Sequence, residues 1–429
     1  MAEIRPFRGL RYQPSKAGDP AALMAPPYDV IDDAGRAELA ARSPHGSIHF
    51  ILPEGEGEAK YPEGARRFRQ QAVSVMQRDD APGVYLYHQR FTVEGHTYVR
   101  KGFIGLIELT RFGEGPVLAH ERTLAGPKAD RLALMRACQA HLELVFGMFS
   151  DPDRTWERIV DPVRGEPVLE AEFEGVGHTL WRVHDPAALA ALQEHLRPRS
   201  IYIADGHHRY ETMCAFRREL EAAGNPNAAF GMIYLSNLDD PGLVVLPTHR
   251  LVHDLPTLDL PAVLEQASPW FTHRSVPTPT DAASMREALA TDGRATFGLA
   301  VPGAGELHVL RLRDGFDPAA AGLSALPPAL QRLDVALLHE LVLERALGIT
   351  KEMQAAKTNL YYYKSTELTL AAAAGKGGPE VQLVCLMNAP PVSDVRAVCD
   401  SGHVMPQKST FFHPKIPNGL VFHDLVPDA

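Results

Sequence analysis

The chain has 429 residues, of which 45% are hydrophobic and 22% are charged, as is typical of globular proteins. Its 43 basic and 53 acidic residues give a net charge of −10, which disfavours broad electrostatic binding to nucleic acid or to an anionic membrane. This length predicts two domains rather than one small core. Four scattered cysteines without a C-x-x-C pair, no apolar signal segment and no apolar run of about 18 residues predict a cytoplasmic protein with reduced thiols and no membrane span.

The N-terminal region is expected to be irregular up to about residue 35. Pro26 and Pro27 fix an extended path before Tyr28 and Asp29, so this loop is a candidate for substrate binding, although packing explains a rigid loop equally well. Asp32 is placed to cap the helix that follows.

The next segments predict a strand, a helix and a hairpin. Residues 47–52 form a short apolar run that we interpret as a strand, and residues 61–78 show the pattern of an amphipathic helix. The β-rich segments 84–93 and 97–109 alternate in polarity and meet at a Glu-Gly pair, which predicts a hairpin.

A group of charged residues follows near residue 120. Pro127 suits the start of a helix, on which Lys128 and Arg131 share one face because they stand three positions apart. His120 is a candidate substrate-binding residue, and Glu121 could accept a proton from a substrate hydroxyl, while the two cations could bind phosphate. The alternative is a surface loop followed by a solvated, salt-bridged helix.

The most unusual segment begins where the apolar run 201–204 ends. It reads Asp205, Gly206, His207, His208 and Arg209, and a helical pattern continues from there to Gly224. The positive end of the helix dipole normally attracts acidic residues, so a basic first turn is unexpected unless an anion binds there. A strand, a glycine turn and a helix N-terminus form a phosphate site in many proteins.

We therefore predict phosphate binding by the backbone of this turn, by Arg209 and by one or both histidines. Asp205 could hold Mg²⁺ or a substrate donor. The alternative is that Asp205 only caps the helix and the histidines are exposed. Zinc binding is disfavoured, since adjacent histidines point about 100° apart on a helix.

A Pro/Asp/Thr-rich stretch at 254–261 predicts a boundary between an N-terminal α/β domain, residues 1–255, and a C-terminal α/β domain, residues 256–429. Just before it, His249 and Arg250 follow Thr248 at a strand end, an arrangement that can bind phosphate or carboxylate but is also common on surfaces.

The second half predicts a hairpin from 295–300 and 307–312, an amphipathic helix over 334–347, and a half-buried strand rather than a base-stacking platform at 361–363. Near its end a second basic and hydroxyl-rich group is a candidate anion site, with the residues Lys408, Ser409 and Thr410 following Gln407. Alternating strands and helices predict a mixed α/β or α+β fold. The sequence contains no Walker A loop, no dinucleotide-binding G-x-G-x-x-G, no nucleophile elbow and no zinc helix.

Six segments together resemble the DUF1015 family over nearly the whole chain. They are APPYDVI at 25–31, HERT at 120–123, PKADRL at 127–132, DGHHRY at 205–210, LPTHR at 246–250 and PQKSTFFHPK at 406–415. The segment 205–209 also resembles the phosphate-binding motif of the ParB/sulfiredoxin superfamily, which includes the free-serine kinases.

This second resemblance implies a ParB/sulfiredoxin-like phosphate-binding core with additional N- and C-terminal α/β elements. It implies that Glu121 is the base acting on a serine hydroxyl, and that His207, His208 and Arg209 bind nucleotide phosphate. The expected function is transfer of a phosphoryl group from ATP or ADP, with Mg²⁺, to the hydroxyl of free L-serine or a similar metabolite. Lys128 and Arg131 would offset the developing charge.

The alternative is a ParB-type regulatory protein that binds nucleotide or DNA without catalysis. The net charge and the lack of a basic stripe or a helix-turn-helix disfavour DNA binding. A sulfiredoxin-like redox enzyme would need a cysteine inside 205–209, where none occurs. The expected partners are a small-molecule substrate and a nucleotide, and a homodimer is left open.

Overall fold

The structure is a computed structural model that describes residues 1–121, 123, 125–225, 227–290 and 292–426. Arg122, which belongs to the HERT segment, lies outside the described residues. The chain forms two compact units, Met1–Val244 together with the C-terminal segment from Pro414, and Val245–His413. The domain boundary predicted at 255/256 thus falls inside the second unit, because the chain changes unit before the Pro/Asp/Thr-rich stretch and returns to the first unit at Pro414.

A mixed sheet forms the centre of the first unit. Its strands, in spatial order, are Val117–Leu118, Ile201–Asp205, Val145–Phe149, Phe230–Asn237, His96–Glu108, Val84–Val93, Val176–Val183 and Pro167–Phe173, with Ile4–Arg5 also paired to His96–Glu108. The strand Ile201–Asp205 runs parallel to Val117–Leu118 and antiparallel to Val145–Phe149. Two small sheets pair Leu10–Tyr12 with Met76–Arg78 and Ala140–His141 with His423–Asp424.

Helices cover this sheet and bury its apolar side chains. The α-helices are Pro14–Ala17, Pro20–Leu23, Asp33–Arg42, Ile48–Ile51, Lys60–Ser74, Ala125–Cys138, Thr155–Val160, Pro186–Leu196 and His207–Ala222, with short 3₁₀ turns at Tyr28–Val30, Gly57–Ala59 and Asp161–Val163. Trp156, Phe103 and Ile203 lie in one buried cluster, so the strand before the unusual turn is anchored in the core. Burial of such side chains stabilises a unit by about 1.5–3 kcal/mol each.

The second unit is built on an antiparallel sheet. In spatial order its strands are Phe271–Pro277, Glu306–Leu312, Thr296–Ala300, Leu383–Met387, His249–Val252 and Leu360–Tyr363, and Val244–Leu246 pairs separately with Phe411–His413. Its helices are Leu260–Ala267, Ala282–Ala288, Asp334–Leu337, Leu338–Ala346, Lys351–Ala356, Thr366–Ala373 and Val392–Asp400.

The mixed α/β class is confirmed. The predicted hairpin is also confirmed and consists of Val84–Val93 and His96–Glu108. The predicted helix cap is confirmed as well, since the Asp32 carboxylate accepts a hydrogen bond from Gly35 N at 2.8 Å. The strand predicted at 47–52 is wrong, because that apolar run is the buried helix Ile48–Ile51, and a short apolar run fits either structure. The helix predicted at 334–347 is α-helical only to Leu337 and continues with π-type hydrogen bonding over Leu338–Ala346. Within the part of the chain that the structure describes, no helix is both long and apolar enough to cross a membrane.

Candidate functional site

The turn after Ile201–Asp205 has a backbone shape that glycine favours. Gly206 adopts φ 87° and ψ 30°, in the left-handed region, and the helix His207–Ala222 begins directly after it without a side-chain cap. A Cβ atom at Gly206 would lie 2.9 Å from Arg209 Nε, so glycine also makes room for the guanidinium that folds back over the turn. We call His207–Ala222 the motif helix.

Asp205 holds this turn together through two cations. Its Oδ2 accepts a hydrogen bond from Arg209 Nη2 at 2.6 Å, and its Oδ1 accepts one from Lys415 Nζ of the C-terminal segment. Arg209 is buried and also donates to the Leu144 carbonyl. Burial acts to raise the pKa of Asp205, but Lys415 and Arg209 outweigh it and hold the pKa well below its ordinary value. Asp205 is therefore ionised at neutral pH.

Three histidines beside the turn are largely neutral. Burial lowers the pKa of His120 to about 4 and that of His207 well below its ordinary value. His207 Nε2 accepts a bond from His120 N at 3.3 Å, and His120 Nδ1 donates to the Ile203 carbonyl at 2.8 Å. Burial also lowers the pKa of the half-buried His208, against the opposing effect of Glu121. The first turn of the motif helix thus carries little net positive charge, since the charge of Arg209 is compensated by Asp205.

Two carboxylates from distant parts of the sequence act electrostatically on His208. After burial, the Glu121 carboxylate has the largest influence on the pKa of His208, and Asp29 acts on the pKa of both His208 and Arg209. Such electrostatic effects fall off with distance, so Asp29 and Glu121 lie within electrostatic range of the start of the motif helix. Next to them the Tyr28 ring lies 4.1 Å from the Arg131 guanidinium carbon, and burial and Glu143 raise the pKa of Tyr28 to about 12.

Lys128 and Arg131 stand on the helix Ala125–Cys138, which begins before Pro127 and which we call the facing helix. Lys128 Nζ donates to Glu211 Oε2 at 2.8 Å and to Thr123 Oγ1 at 3.1 Å, so it binds the motif helix.

Arg131 is fully engaged inside the first unit. It is buried and donates to the Ile51 carbonyl at 2.6 Å, to Glu143 Oε2 at 3.2 Å and to Asp130 Oδ2 at 2.5 Å. Its partners therefore fit a positioning role under Tyr28 better than direct contact with a ligand.

A cleft of about 560 Å³ adjoins the motif helix and the facing helix. Lys128 and Glu211 form part of its wall, and both influence the pKa of His208. Glu211 stands about one turn after His208 on the motif helix, so the cleft begins close to the turn after Asp205.

Asp205 does not fit the predicted role of a Mg²⁺ ligand in this arrangement. Lys415 and Arg209 occupy one oxygen each, and two adjacent cations repel a divalent ion. In the described part of the chain no group of three or more His, Cys, Asp and Glu side chains could hold a metal.

The predicted anion groups of the second unit form a cluster of their own there. Arg250 is fully buried, donates to the carbonyls of Thr248 and Lys408, and meets His339 Nε2 at 3.1 Å. His249 is also buried, and its Nδ1 accepts a bond from Met387 N at 3.2 Å.

Among the described residues no carboxylate pairs with Arg250, and burial lowers its pKa to about 10. Ser409 is buried and bonds the Pro406 carbonyl, Lys408 is exposed with a left-handed backbone, and Thr410 is half-buried. These contacts hold loops together, so a role in binding phosphate at this cluster stays a prediction.

Sequence reasoning missed three partners of the residues it singled out. Lys415 pairs with the Asp205 carboxylate, while Glu143 pairs with Arg131 and Glu211 with Lys128. Lys415 lies 210 positions from Asp205, and no spacing rule connects residues so far apart. Glu211 follows the unusual segment directly on the first turns of the motif helix, so helical geometry could have placed it on the side of His208.

The comparisons with known proteins give weak structural likenesses and one family. The chain is similar to a conserved hypothetical protein from Pyrococcus furiosus at 15% identity and TM-score 0.33, covering 71% of this chain and 90% of that one. It is similar to a free serine kinase in complex with AMP at 14% identity and TM-score 0.34, covering 71% and 88%. A third, SbnI with C-terminal truncation from Staphylococcus aureus, is 9% identical at TM-score 0.34, covering 76% and 90%.

Among curated proteins there is no match. Residues 4–336 match the family model described as a protein of unknown function, DUF1015, and the chain belongs to that family.

Proposed function

We propose that this protein is a small-molecule kinase that transfers a phosphoryl group from ATP or ADP to the hydroxyl of free L-serine or a similar metabolite. The observation that carries the proposal is the hydrogen bond from His120 N to His207 Nε2 at 3.3 Å, which brings the residue before Glu121 to the uncapped first turn of the motif helix. This contact supports a candidate base near a candidate phosphate site, although 84 positions separate Glu121 from Asp205 in the sequence.

The phosphate side of the site rests on the backbone. Gly206 brings no side chain to the helix start and no side chain caps the amides of the first turn, where the helix dipole favours an anion. Arg209 and Lys415 hold the Asp205 carboxylate and so fix the turn. His208 is half-buried and neutral, and it could add a hydrogen bond to a phosphate oxygen.

The acceptor side rests on Glu121. In the proposed step the hydroxyl oxygen attacks the terminal phosphorus, the bond from phosphorus to the bridging oxygen breaks, and the hydroxyl proton passes to Glu121. ATP then leaves as ADP, or ADP as AMP. Phosphoryl transfer requires chiefly positioning and charge neutralisation, which Lys128 can supply from the facing helix. Tyr28 and Asp29 are the proposed acceptor-binding residues. His120, also predicted to bind substrate, is fully buried and bonded to Ile203 and His207, so it fits a positioning role better. Mg²⁺ as a cofactor stays a prediction.

The test is to incubate the pure protein with ATP or ADP, Mg²⁺ and a pool of hydroxylated metabolites and to search for a new phosphorylated mass. We expect Glu121→Gln to lower turnover about 10²–10⁴-fold while nucleotide binding persists, since general base catalysis contributes that much. The control is Glu38→Gln, an exposed glutamate paired with Arg42 four residues later, which should retain full turnover.

Equal turnover by Glu121→Gln would disprove the role of Glu121 as base. Binding of nucleotide by the native protein without any product from the pool would instead favour a regulatory nucleotide-binding protein.

A further inference from the structure

The cleft between the motif helix and the facing helix has the size and lining of a ligand site. We propose that it holds the nucleoside part of the phosphoryl donor, and that Lys128 leaves Glu211 for the donor phosphates when the donor binds. This inference rests on the proposed kinase function. It adds a binding site for one half of the donor and a contact that must open on binding.

The volume of about 560 Å³ lies within the range of about 300–1,000 Å³ that small-molecule sites occupy. One part of the wall is apolar, with Phe112, Leu132 and Ala215 lining it. The Phe112 ring stacks on the buried Tyr210 ring at 5.1 Å and 21°, which fixes its orientation. A fixed aromatic ring beside small apolar side chains is suited to a flat heterocyclic base.

The polar part of the wall is cationic at its exposed side chains. Arg111 and Arg218 line the cleft, and Arg218 is exposed. Arg111 meets Glu114 at 3.6 Å, where both side chains are about 60% exposed, so this pair is weak. Arg218 has no ion pair among the residues that the structure describes. An acidic protein with exposed arginines at a cleft is expected to attract an anionic ligand there.

Lys128 and Glu211 connect the cleft to the phosphate turn. The carboxylate of Glu211 accepts bonds from Lys128 Nζ at 2.8 Å and from Thr123 Oγ1 at 2.5 Å. Glu211 therefore engages the Lys128 ammonium, which a phosphate bound near His208 would otherwise contact. The side chains of both are about one third exposed, so their ion pair is partly screened by water and costs little to open.

A titration of ADP into the full-length protein tests the exchange of Lys128. We expect Glu211→Gln to bind ADP about two- to fivefold more tightly, because the competing charge is gone, and Lys128→Met to bind it at least about tenfold more weakly. The control is Glu219→Gln on the same helix, whose carboxylate pairs with Arg136 of the facing helix at 2.6 Å and does not line the cleft. Weaker ADP binding by Glu211→Gln would overturn the exchange.

A second pair of variants tests the position of the nucleoside. Ala215→Trp fills the cleft, so we expect it to weaken ADP binding at least about tenfold and to leave binding of inorganic pyrophosphate unchanged. Arg218→Glu should weaken both, whereas Lys16→Glu, an exposed lysine on the helix Pro14–Ala17, should weaken neither. Equal losses for ADP and pyrophosphate in Ala215→Trp would indicate a misfolded site and overturn the assignment.

The assignment of the cleft as the nucleoside site and the kinase proposal can be disproved independently. If the native protein phosphorylates an acceptor while Ala215→Trp keeps the native Kd and KM for the donor, the cleft assignment is wrong and the kinase stands. If Ala215→Trp abolishes ADP binding selectively but no acceptor is phosphorylated, the cleft binds nucleotide and the kinase proposal is wrong.

Discussion

The ion pairs of Asp205 give a stability prediction that can be worked from the structure. Asp205→Asn keeps the shape of the side chain but removes the one carboxylate among the described residues that directly bonds Arg209 Nη2. Lys415 can turn toward water, since 18% of its side chain is exposed, whereas only 6% of the Arg209 side chain is. The cost is therefore mainly that of an unpaired buried guanidinium.

Removing one member of a buried ion pair costs about 3–5 kcal/mol, and partial exposure of Asp205 reduces this to about 2–4 kcal/mol. The measurement is urea unfolding followed by tryptophan fluorescence. Trp156 is buried in the core of the first unit and reports on the unit that contains Asp205. The control is Asp80→Asn, an exposed aspartate of the same unit paired with Arg182 at 2.7 Å, which should change the free energy of unfolding little.

The pH dependence of the same variant has a definite sign. Because Asp205 has a lower pKa in the folded protein than its ordinary 3.8, the unfolded chain binds more protons as the pH falls. The contribution of the ionised Asp205 carboxylate to the free energy of unfolding is fully present above about pH 5. This contribution is lost as the pH falls below about 4 toward the pKa of Asp205 in the folded protein. Asp205→Asn should lack this part of the acid sensitivity.

The acid sensitivity between pH 6.5 and 4 should persist in the same variant. It arises from the buried histidines, among them His120 and His207, whose lowered pKa values disfavour protonation in the folded state.

A double-mutant cycle tests whether the loss of stability in Asp205→Asn comes from the unpaired charge of Arg209. Arg209→Met in the Asp205→Asn background removes the unpaired charge, so the double variant should be more stable than the sum of the two single losses predicts. If Asp205→Asn unfolds at the same urea concentration as Asp80→Asn, then another carboxylate compensates Arg209 and the assigned role of Asp205 is wrong.

Three further predictions concern single residues. Gly206→Ala should destabilise the first unit by about 1–2 kcal/mol from its left-handed backbone and by more from contact with Arg209. Gly224→Ala, at the C-terminal end of the same helix with a φ of 76° and nothing within 4 Å, should show the backbone part alone in the same unfolding assay. Asp334→Asn should stabilise the second unit at pH 7 by about 1–3 kcal/mol. Burial raises the pKa of the native Asp334 carboxyl to about 6, so the native protein loses stability as the pH rises from 3.8 to 6. A free energy of unfolding of the native protein that stays unchanged between pH 4 and 7 would contradict this. Cys214 should react with iodoacetamide at pH 8 far more slowly in the folded than in the unfolded protein, as mass spectrometry can count, since burial raises its pKa to about 12.

The sequence predicted local structure well where one residue pair decides the geometry. The hairpin at Glu94-Gly95 needs two residues with positive φ, and they have φ 49° and 79°. Capping by Asp32 depends on four consecutive residues, and it was also predicted correctly. The structure of the run 47–52 was predicted wrongly. Most of its hydrophobic residues are buried, so their spacing does not distinguish a helix from a strand.

The candidate site was predicted less completely, for reasons of distance along the chain. The role of Glu121 followed from a family resemblance and stays a prediction, and the structure shows that the preceding residue, His120, contacts His207 of the motif helix. The ion pair of Asp205 with Lys415 could not be predicted, since it depends on the C-terminal segment returning to the first unit. The burial of Arg131 under Tyr28 depends likewise on how the N-terminal loop packs.

The charge at the start of the motif helix differs most between the sequence-based prediction and the structure. Two histidines and an arginine suggested a cationic helix start that calls for an anion, yet burial keeps His207 neutral and Asp205 neutralises Arg209. The turn therefore offers directional hydrogen bonds to a phosphate rather than net charge. Long-range attraction must come from exposed cations such as Arg218, whose effect salt screens over about 8–10 Å. Binding of a nucleotide should accordingly weaken with ionic strength through the cleft, while selection of the phosphate position depends on the amides beside Gly206.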